Sequence, residues 1–144
     1  MVGTKLSKVY DKLMQANITV EYIPFLYEEQ AVSFQPTNDK FWIGLNPNLK
    51  LSEREELCVL MEEKAHYDVG IIPNDCKSNN YSDVLVREKN ELKAKKYAVK
   101  QLIPREKLLN YIKSNYYIDI NELADYFEVT PKFAKEALSV YGFN

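Results

Sequence analysis

The sequence predicts an α+β fold: an N-terminal helix and a small three-stranded sheet, followed by a mainly helical core and C-terminal helices. Three observations predict it: helical apolar spacing over 4–16, short alternating segments before residue 46, and long capped helical segments after it. The chain has 144 residues, 46% of them apolar, which suits one domain with a packed core. We expect a single domain, 1–144, with a helix-plus-sheet part (1–50), two site helices (51–104) and a C-terminal helical segment (105–144).

The first 50 residues contain the predicted helix and sheet. Leu6, Val9 and Leu13 recur at helical spacing, and Asn17 breaks the pattern. Period-two alternation and β-favouring residues predict strands that should form an antiparallel-type sheet, with turn chemistry between the second and third. The expected strands are 18–23, 31–35 and 41–45, and the expected turn is 36–39.

The rest of the chain carries helix start and stop signals. Ser52 and Glu55 form a capping box for a long helix that should run to about Val69, with Gly70 as its stop. A loop over 70–83 should lead into a second long helix that ends before Pro104. Shorter helices are expected over 105–114, from the capping box at 119–122 to Phe127, and from Thr130-Pro131 onward.

Charge and cysteine usage exclude several classes of protein. A net charge of −2, from 19 basic and 21 acidic residues, predicts no general attraction to nucleic acid or to an anionic membrane. No apolar run approaches the ~20 residues that span a bilayer, and the N-terminus lacks the apolar block of a signal peptide. The only cysteines, Cys58 and Cys76, form no C-x-x-C pair, so we expect a reduced, cytoplasmic protein.

The segment Glu62-Glu63-Lys64-Ala65-His66 matches the metallopeptidase motif H-E-x-x-H, except that glutamate replaces the first histidine. Positions i and i+4 lie on one face of a helix, so Glu62 and His66 can reach one metal, typically zinc. Glu63 holds the position of the general base. Two plainer interpretations stay open: a helix-face ion pair between Glu62 and His66, and an ordinary solvated acid at Glu63.

The second long helix offers a third ligand. Glu91 shares a helical row with Ala94, Ala98 and Leu102, a face expected to pack on another helix. A carboxylate in that row needs a partner, which a metal or His66 would provide. Glu91 could instead be a surface residue of a highly charged helix, since Lys93, Lys95 and Lys96 are close, but its row with Ala94 and Ala98 favours an inward position. One imidazole with two carboxylates would suit Mn²⁺ or Fe²⁺ about as well as zinc.

Two neighbouring residues complicate this interpretation. Lys64 places a cation beside the site, where it could pair with Glu91 or Glu63 or else point to solvent. Cys76, ten residues beyond His66, could substitute as a ligand, although such a cysteine is more often simply packed.

Four segments, taken in order, resemble the ImmA/IrrE metallopeptidases of phages, mobile elements and their bacterial hosts. Beside the Glu62–His66 motif, these are Phe41–Asn46, Glu91–Pro104, which fits E-x-x-A-x-x-[FW]-A-x-x-L-x-P with Tyr97 at the aromatic position, and Asn121–Thr130. The resemblance implies that the mainly helical core is zincin-like, and that its zinc site has Glu62, His66 and Glu91 as ligands and Glu63 as base. With glutamate at position 62, the motif resembles that of a Gram-positive phage branch of the family, which has E-E-x-x-H. The family resemblance also implies a partner, a phage-type repressor that such proteins cleave.

We therefore expect a phage-derived zinc-metallopeptidase-like protein that acts on a repressor. The alternative is a metal-free pseudopeptidase that binds a repressor or another protein without cleaving it. A DNA-binding regulator is a weaker third class, because the last two helices have helix-turn-helix spacing but the second offers only Lys132 and Lys135 against Glu136.

Overall fold

A computed structural model describes residues 4–24, 30–37, 40–70 and 81–143. It confirms the predicted order of an N-terminal helix, three strands and a mainly helical remainder. The elements are α1 (Lys5–Gln15), β1 (Ile18–Tyr22), β2 (Ala31–Thr37), β3 (Lys40–Leu45), a 3-10 turn (Pro47–Leu49), α2 (Glu53–Asp68), α3 (Tyr81–Leu102), α4 (Arg105–Ser114), α5 (Ile120–Phe127) and α6 (Pro131–Tyr141).

The sheet is mixed, with strand order β1-β3-β2. β2 pairs with β3 in antiparallel fashion, but β1 pairs with β3 in parallel, with Ile18 opposite Phe41 and Tyr22 opposite Leu45. The expectation of an antiparallel-type sheet is therefore wrong for β1. The cause is topological: β2 occupies the edge, so the chain reverses into β3, which returns to the centre in the direction of β1.

The predicted turn over 36–39 also begins too early, because β2 continues to Thr37. Pro36 lacks a backbone N–H and would interrupt a central strand, but β2 is an edge strand, where proline is tolerated. The register shifts between Phe34 and Thr37, as expected for an irregular edge. Residues 38 and 39 lie outside the described part of the chain.

Helix α2 is the central element of the fold. The predicted capping box is present, since Ser52 Oγ accepts from the Glu55 N–H at 3.2 Å and the Glu55 carboxylate accepts from the Ser52 N–H at 3.2 Å. Five consecutive residues, 57–61, are buried because α1, the sheet and α3 pack around the helix. Gly70, with φ +78°, follows the helix end as predicted.

Helix α3 packs against α2 and α6. It begins at Tyr81, two residues before the predicted start, and the predicted loop lies mostly outside the described residues. Ala94, Ala98 and Leu102 are buried, which confirms the predicted packing row. The row holds the second site helix against the motif helix.

The C-terminal helices begin at the predicted caps and are tied to α2. The Asp119 carboxylate accepts from the N–H groups of Asn121 and Glu122 at the start of α5, and Thr130 Oγ1 accepts from the Phe133 N–H at the start of α6. An ion pair of 2.6 Å joins Arg54 of α2 to Asp125 of α5. Among the described residues, no helix is both long enough and apolar enough to cross a bilayer.

Candidate metal centre

His66 lies between two carboxylates. Its Nδ1 is 3.3 Å from Glu63 Oε2, and its Nε2 is 3.1 Å from Glu91 Oε2. The first contact spans three residues of α2, and the second joins α2 to α3. We call Glu63, His66 and Glu91 the His66 cluster. The structure thus brings together three of the four residues that the sequence singles out.

The His66 ring has an unusual proton affinity for a histidine. Its burial disfavours the charged form, but the hydrogen bonds and negative charges of Glu63 and Glu91 outweigh that effect and raise the pKa to about 10. At neutral pH both ring nitrogens therefore carry a proton and donate to the carboxylates. A metal ligand must first lose one of these protons.

Glu91 lies at the exposed edge of the packed row, so the expected inward position of this carboxylate is wrong. Its carboxylate meets His66, but its side chain is 68% exposed, so Glu91 is less buried than the row suggested. The hydrogen bond from His66 lowers the pKa of the Glu91 carboxyl despite partial burial. His66 is thus the partner that a carboxylate at this position was expected to need.

Glu62 faces a different environment from the His66 cluster. Among the described residues it is not a partner of His66, so the helix-face ion pair between these two is not formed; the i, i+3 pair with Glu63 takes its place. Glu62 lines a cavity of about 470 Å³, which we call the α2–α6 cavity. Its walls are Gln30, Ser52, Arg54, Glu55, Cys58, Val59, Glu62, Thr130, Pro131, Lys132, Phe133 and Glu136.

Glu62 has a carboxyl group that resists ionisation. Burial raises the pKa of Glu62, and the negative charge of Glu136 raises it further, while Lys95 and Lys132 act in the opposite direction. An additional positive charge close to Glu62 would therefore stabilise its ionised form.

Lys64 is outside the site. Its ammonium pairs with Asp68 one turn later on α2, and both side chains are largely buried. Burial and the negative charge of Asp68 raise the pKa of Tyr97 on α3. The expected alternatives, a pair with Glu63 or Glu91 or a solvent-facing side chain, are therefore wrong, because Asp68 supplies a nearer anion at i+4.

The sequence did not single out two charged residues that surround Glu62. Glu136 is the only acid in α6, between buried Phe133 and Ala137, and Lys95 follows Glu91 by one turn. Lys95 Nζ is 3.2 Å from Glu136 Oε1. The sequence signal that could have identified Glu136 is a single acid on the apolar face of a helix. The sequence does not show, however, that α6 packs beside the motif helix.

The donor chemistry of this region suits a divalent metal. An imidazole and a carboxylate converge at 3.1 Å, and Glu62 lies one helical turn before His66. Across the described ranges, no group of three or more His, Cys, Asp or Glu side chains is arranged so that it could hold a metal ion, and this includes the His66 cluster. A buried oxygen, Oε2 of Glu136, has no hydrogen-bond partner among the described residues. Cys76, the substitute ligand considered above, lies outside them.

Comparison with known families identifies the family of the chain. The family model for peptidase M78, described as the IrrE N-terminal-like domain, matches residues 13–139. This match defines a metallopeptidase-like class of protein. The chain belongs to the peptidase M78 family, since the match covers nearly its whole length. Searches of curated proteins and of solved structures returned no match.

Proposed function

We propose that this protein is a metallo-endopeptidase that cleaves a phage-type repressor in the cytoplasm of a bacterial host. The observation that supports the proposal most directly is the His66 cluster. In this chain of the peptidase M78 family, the imidazole of His66 on α2 contacts the carboxylate of Glu91 on α3. The repressor and the phage origin are proposed from the resemblance to ImmA/IrrE proteins.

Glu62, His66 and Glu91 would hold the metal, with zinc favoured and Mn²⁺ or Fe²⁺ also suited to the donors. A bound divalent ion polarises the scissile carbonyl and lowers the pKa of water. Glu63 takes the proton from the attacking water and delivers it to the leaving amine as the C–N bond breaks. Oε2 of this carboxylate contacts His66 Nδ1, so the same residue also orients the imidazole.

A second candidate function is a metal-free protein that captures a repressor or another partner without cutting it. The observation that favours it is the doubly hydrogen-bonded His66, whose pKa of about 10 keeps the imidazole protonated. An imidazolium has no free lone pair, so metal binding must compete with the proton.

Metal binding separates the two functions. Calorimetric titration of the metal-stripped chain with ZnCl₂ should show one site, and His66→Ala should weaken binding at least tenfold, on the order seen for loss of one ligand. Saturating zinc with no detectable binding would leave the capture protein as the function.

Cleavage is then tested with a repressor encoded beside this chain. Loaded wild type should produce fragments, and Glu63→Gln at saturating metal should cleave ~10²–10⁴-fold more slowly. The control is Glu53→Gln, an exposed acid in the first turn of the same helix. Equal cleavage by wild type and Glu63→Gln would contradict the assigned base.

A further inference from the structure

Helix α3 presents a row of lysines to solvent on the side away from its packing row. Six exposed residues of α3 fall within an arc of about 100°, because each step along a helix turns the side chain by about 100°. These residues, which we call the α3 stripe, are Leu85, Lys89, Leu92, Lys93, Lys96 and Lys100. Buried Ala94 and Ala98 lie on the other side of the helix, which packs on α2 and α6. The α3 stripe is therefore an open surface about 22 Å long.

The four lysines of the α3 stripe carry a charge that the described residues do not balance. Each lysine lies three or four residues from the next, so like charges are neighbours on the helix surface and repel each other. Glu88 and Glu91, the acids nearest to them on α3, fall outside the arc. Among the described residues none of the four lysines has an ion pair, whereas Lys95 pairs with Glu136. On a chain with a net charge of −2, this concentration of positive charge indicates an anionic partner.

Two leucines lie among the lysines and indicate what kind of anion fits. Leu85 and Leu92 are 47% and 50% exposed, and they lie seven residues apart, which is about two helical turns. One helix receives the apolar side chains of another at this repeat, and flanking charges select the partner. A phosphate backbone would neutralise the lysines but leave both leucines in water. A helix that lies in a membrane interface separates its apolar face from its cations, whereas here the two kinds of residue share one arc.

We propose that the α3 stripe is a docking surface for an acidic amphipathic helix of a protein partner. The apolar side chains of that helix pack on Leu85 and Leu92, and its carboxylates pair with the flanking lysines. The inference rests on the proposed function only for the existence of a protein partner, which both candidate functions share. The contact is smaller than a standard protein interface, so we expect micromolar, reversible binding.

Fluorescence anisotropy with the full-length chain in EDTA at low salt tests this docking. The probe is a labelled synthetic helix that has leucines on one face and glutamates beside them, and its control is a scrambled peptide of the same composition. The helical peptide should bind about fivefold more tightly than the scrambled one or better, because only the helix can bury leucines against the stripe. Added salt should weaken its binding, because the lysines are exposed.

Matched variants locate the binding surface. Lys93→Glu/Lys96→Glu should lower the affinity for the helical peptide roughly tenfold or more, since it reverses two charges at the contact. Lys107→Glu/Lys113→Glu makes the same change in net charge at exposed positions of α4 and should alter the affinity less than about twofold. Leu92→Gln keeps every charge and should weaken binding about fivefold. All three variants should melt within a few degrees of wild type, because each changed side chain is exposed.

The proposal is overturned if the helical peptide does not bind, if the scrambled peptide binds equally well, or if both double variants lose equal affinity. Tighter binding of duplex DNA, or of vesicles that contain phosphatidylserine, would also overturn it and would assign the α3 stripe to a nucleic acid or to a membrane. These measurements need neither metal nor cleavage. A chain that binds no zinc can therefore still bind the helix, and an active peptidase can fail to bind it, so the docking and the proposed function fail separately.

Discussion

The His66 cluster and the α2–α6 cavity begin at adjacent residues of one helix but differ in how their charges are balanced. Glu63 meets a cationic imidazole, whereas Glu62 meets a second carboxylate, Glu136, in a partly enclosed space. A step of one residue turns a side chain by about 100° around a helix, so two identical residues enter different environments. The carboxylate of Glu63 is therefore balanced by a nearby cation, whereas the carboxylate of Glu62 lies where negative charge is only partly balanced.

Weakening the packing of α2, the helix that carries both regions, should have the largest effect on the free energy of unfolding. Leu60 is fully buried in α2, so Leu60→Ala should lower the free energy of unfolding by about 2–5 kcal/mol through lost burial and a residual cavity. Urea denaturation measures it. Both regions should be lost in one transition, and separate transitions for the two would show that they do not depend on the same helix.

Glu63→Gln should be the next most costly change in metal-free protein. The substitution removes the negative charge of the group that accepts a hydrogen bond from His66, in a pair whose side chains are each 14% exposed. The free energy of unfolding should fall by about 1–3 kcal/mol. Urea denaturation in EDTA provides the measurement. Wild-type stability in this variant would mean that the contact with His66 contributes nothing to folding.

Stability should also depend on pH through His66. Its pKa rises from 6.5 to about 10 on folding, so the folded state binds the proton more tightly than the unfolded state. The stabilisation is complete below pH 6.5 and is lost as the pH rises through 10. The difference in unfolding free energy between wild type and His66→Gln, measured in EDTA, should shrink over this window, and a constant difference would argue against the imidazolium.

Glu62→Gln should have the smallest effect and the opposite sign to Glu63→Gln. Burial and Glu136 raise the pKa of Glu62, so the ionised form opposes folding, and stability falls as the pH rises above the normal carboxyl range. Removing the charge should therefore stabilise the metal-free protein by about 0.5–1 kcal/mol at pH 7. A loss of stability from Glu62→Gln, measured beside Glu63→Gln, would remove the contrast between the two acids.

Local signals were sufficient to predict most of the fold. The cap at Ser52, the stop at Gly70 and the proline at position 131 act through the backbone of their own neighbourhood, so the sequence reveals them. The direction of β1 and the true end of β2 depend on which strand lies in the middle of the sheet, and local pattern does not specify this order.

One contact of the candidate site was predictable from the sequence. The contact between His66 and Glu91 followed from two helical rows and the need of a carboxylate for a partner. The partners of Lys64 and Lys95 did not follow, since several acids lay within reach of each lysine. Only the packing of α2, α3 and α6 selects Asp68 for the first and Glu136 for the second.

The contact between His66 and Glu91 joins residues 25 positions apart. A ligand that strengthens the contact would restrict opening of the first half of α3. Backbone amides around residues 85–91 should then exchange with solvent deuterium more slowly, so hydrogen exchange along α3 would report occupancy of the site from a helix that carries only one of its groups.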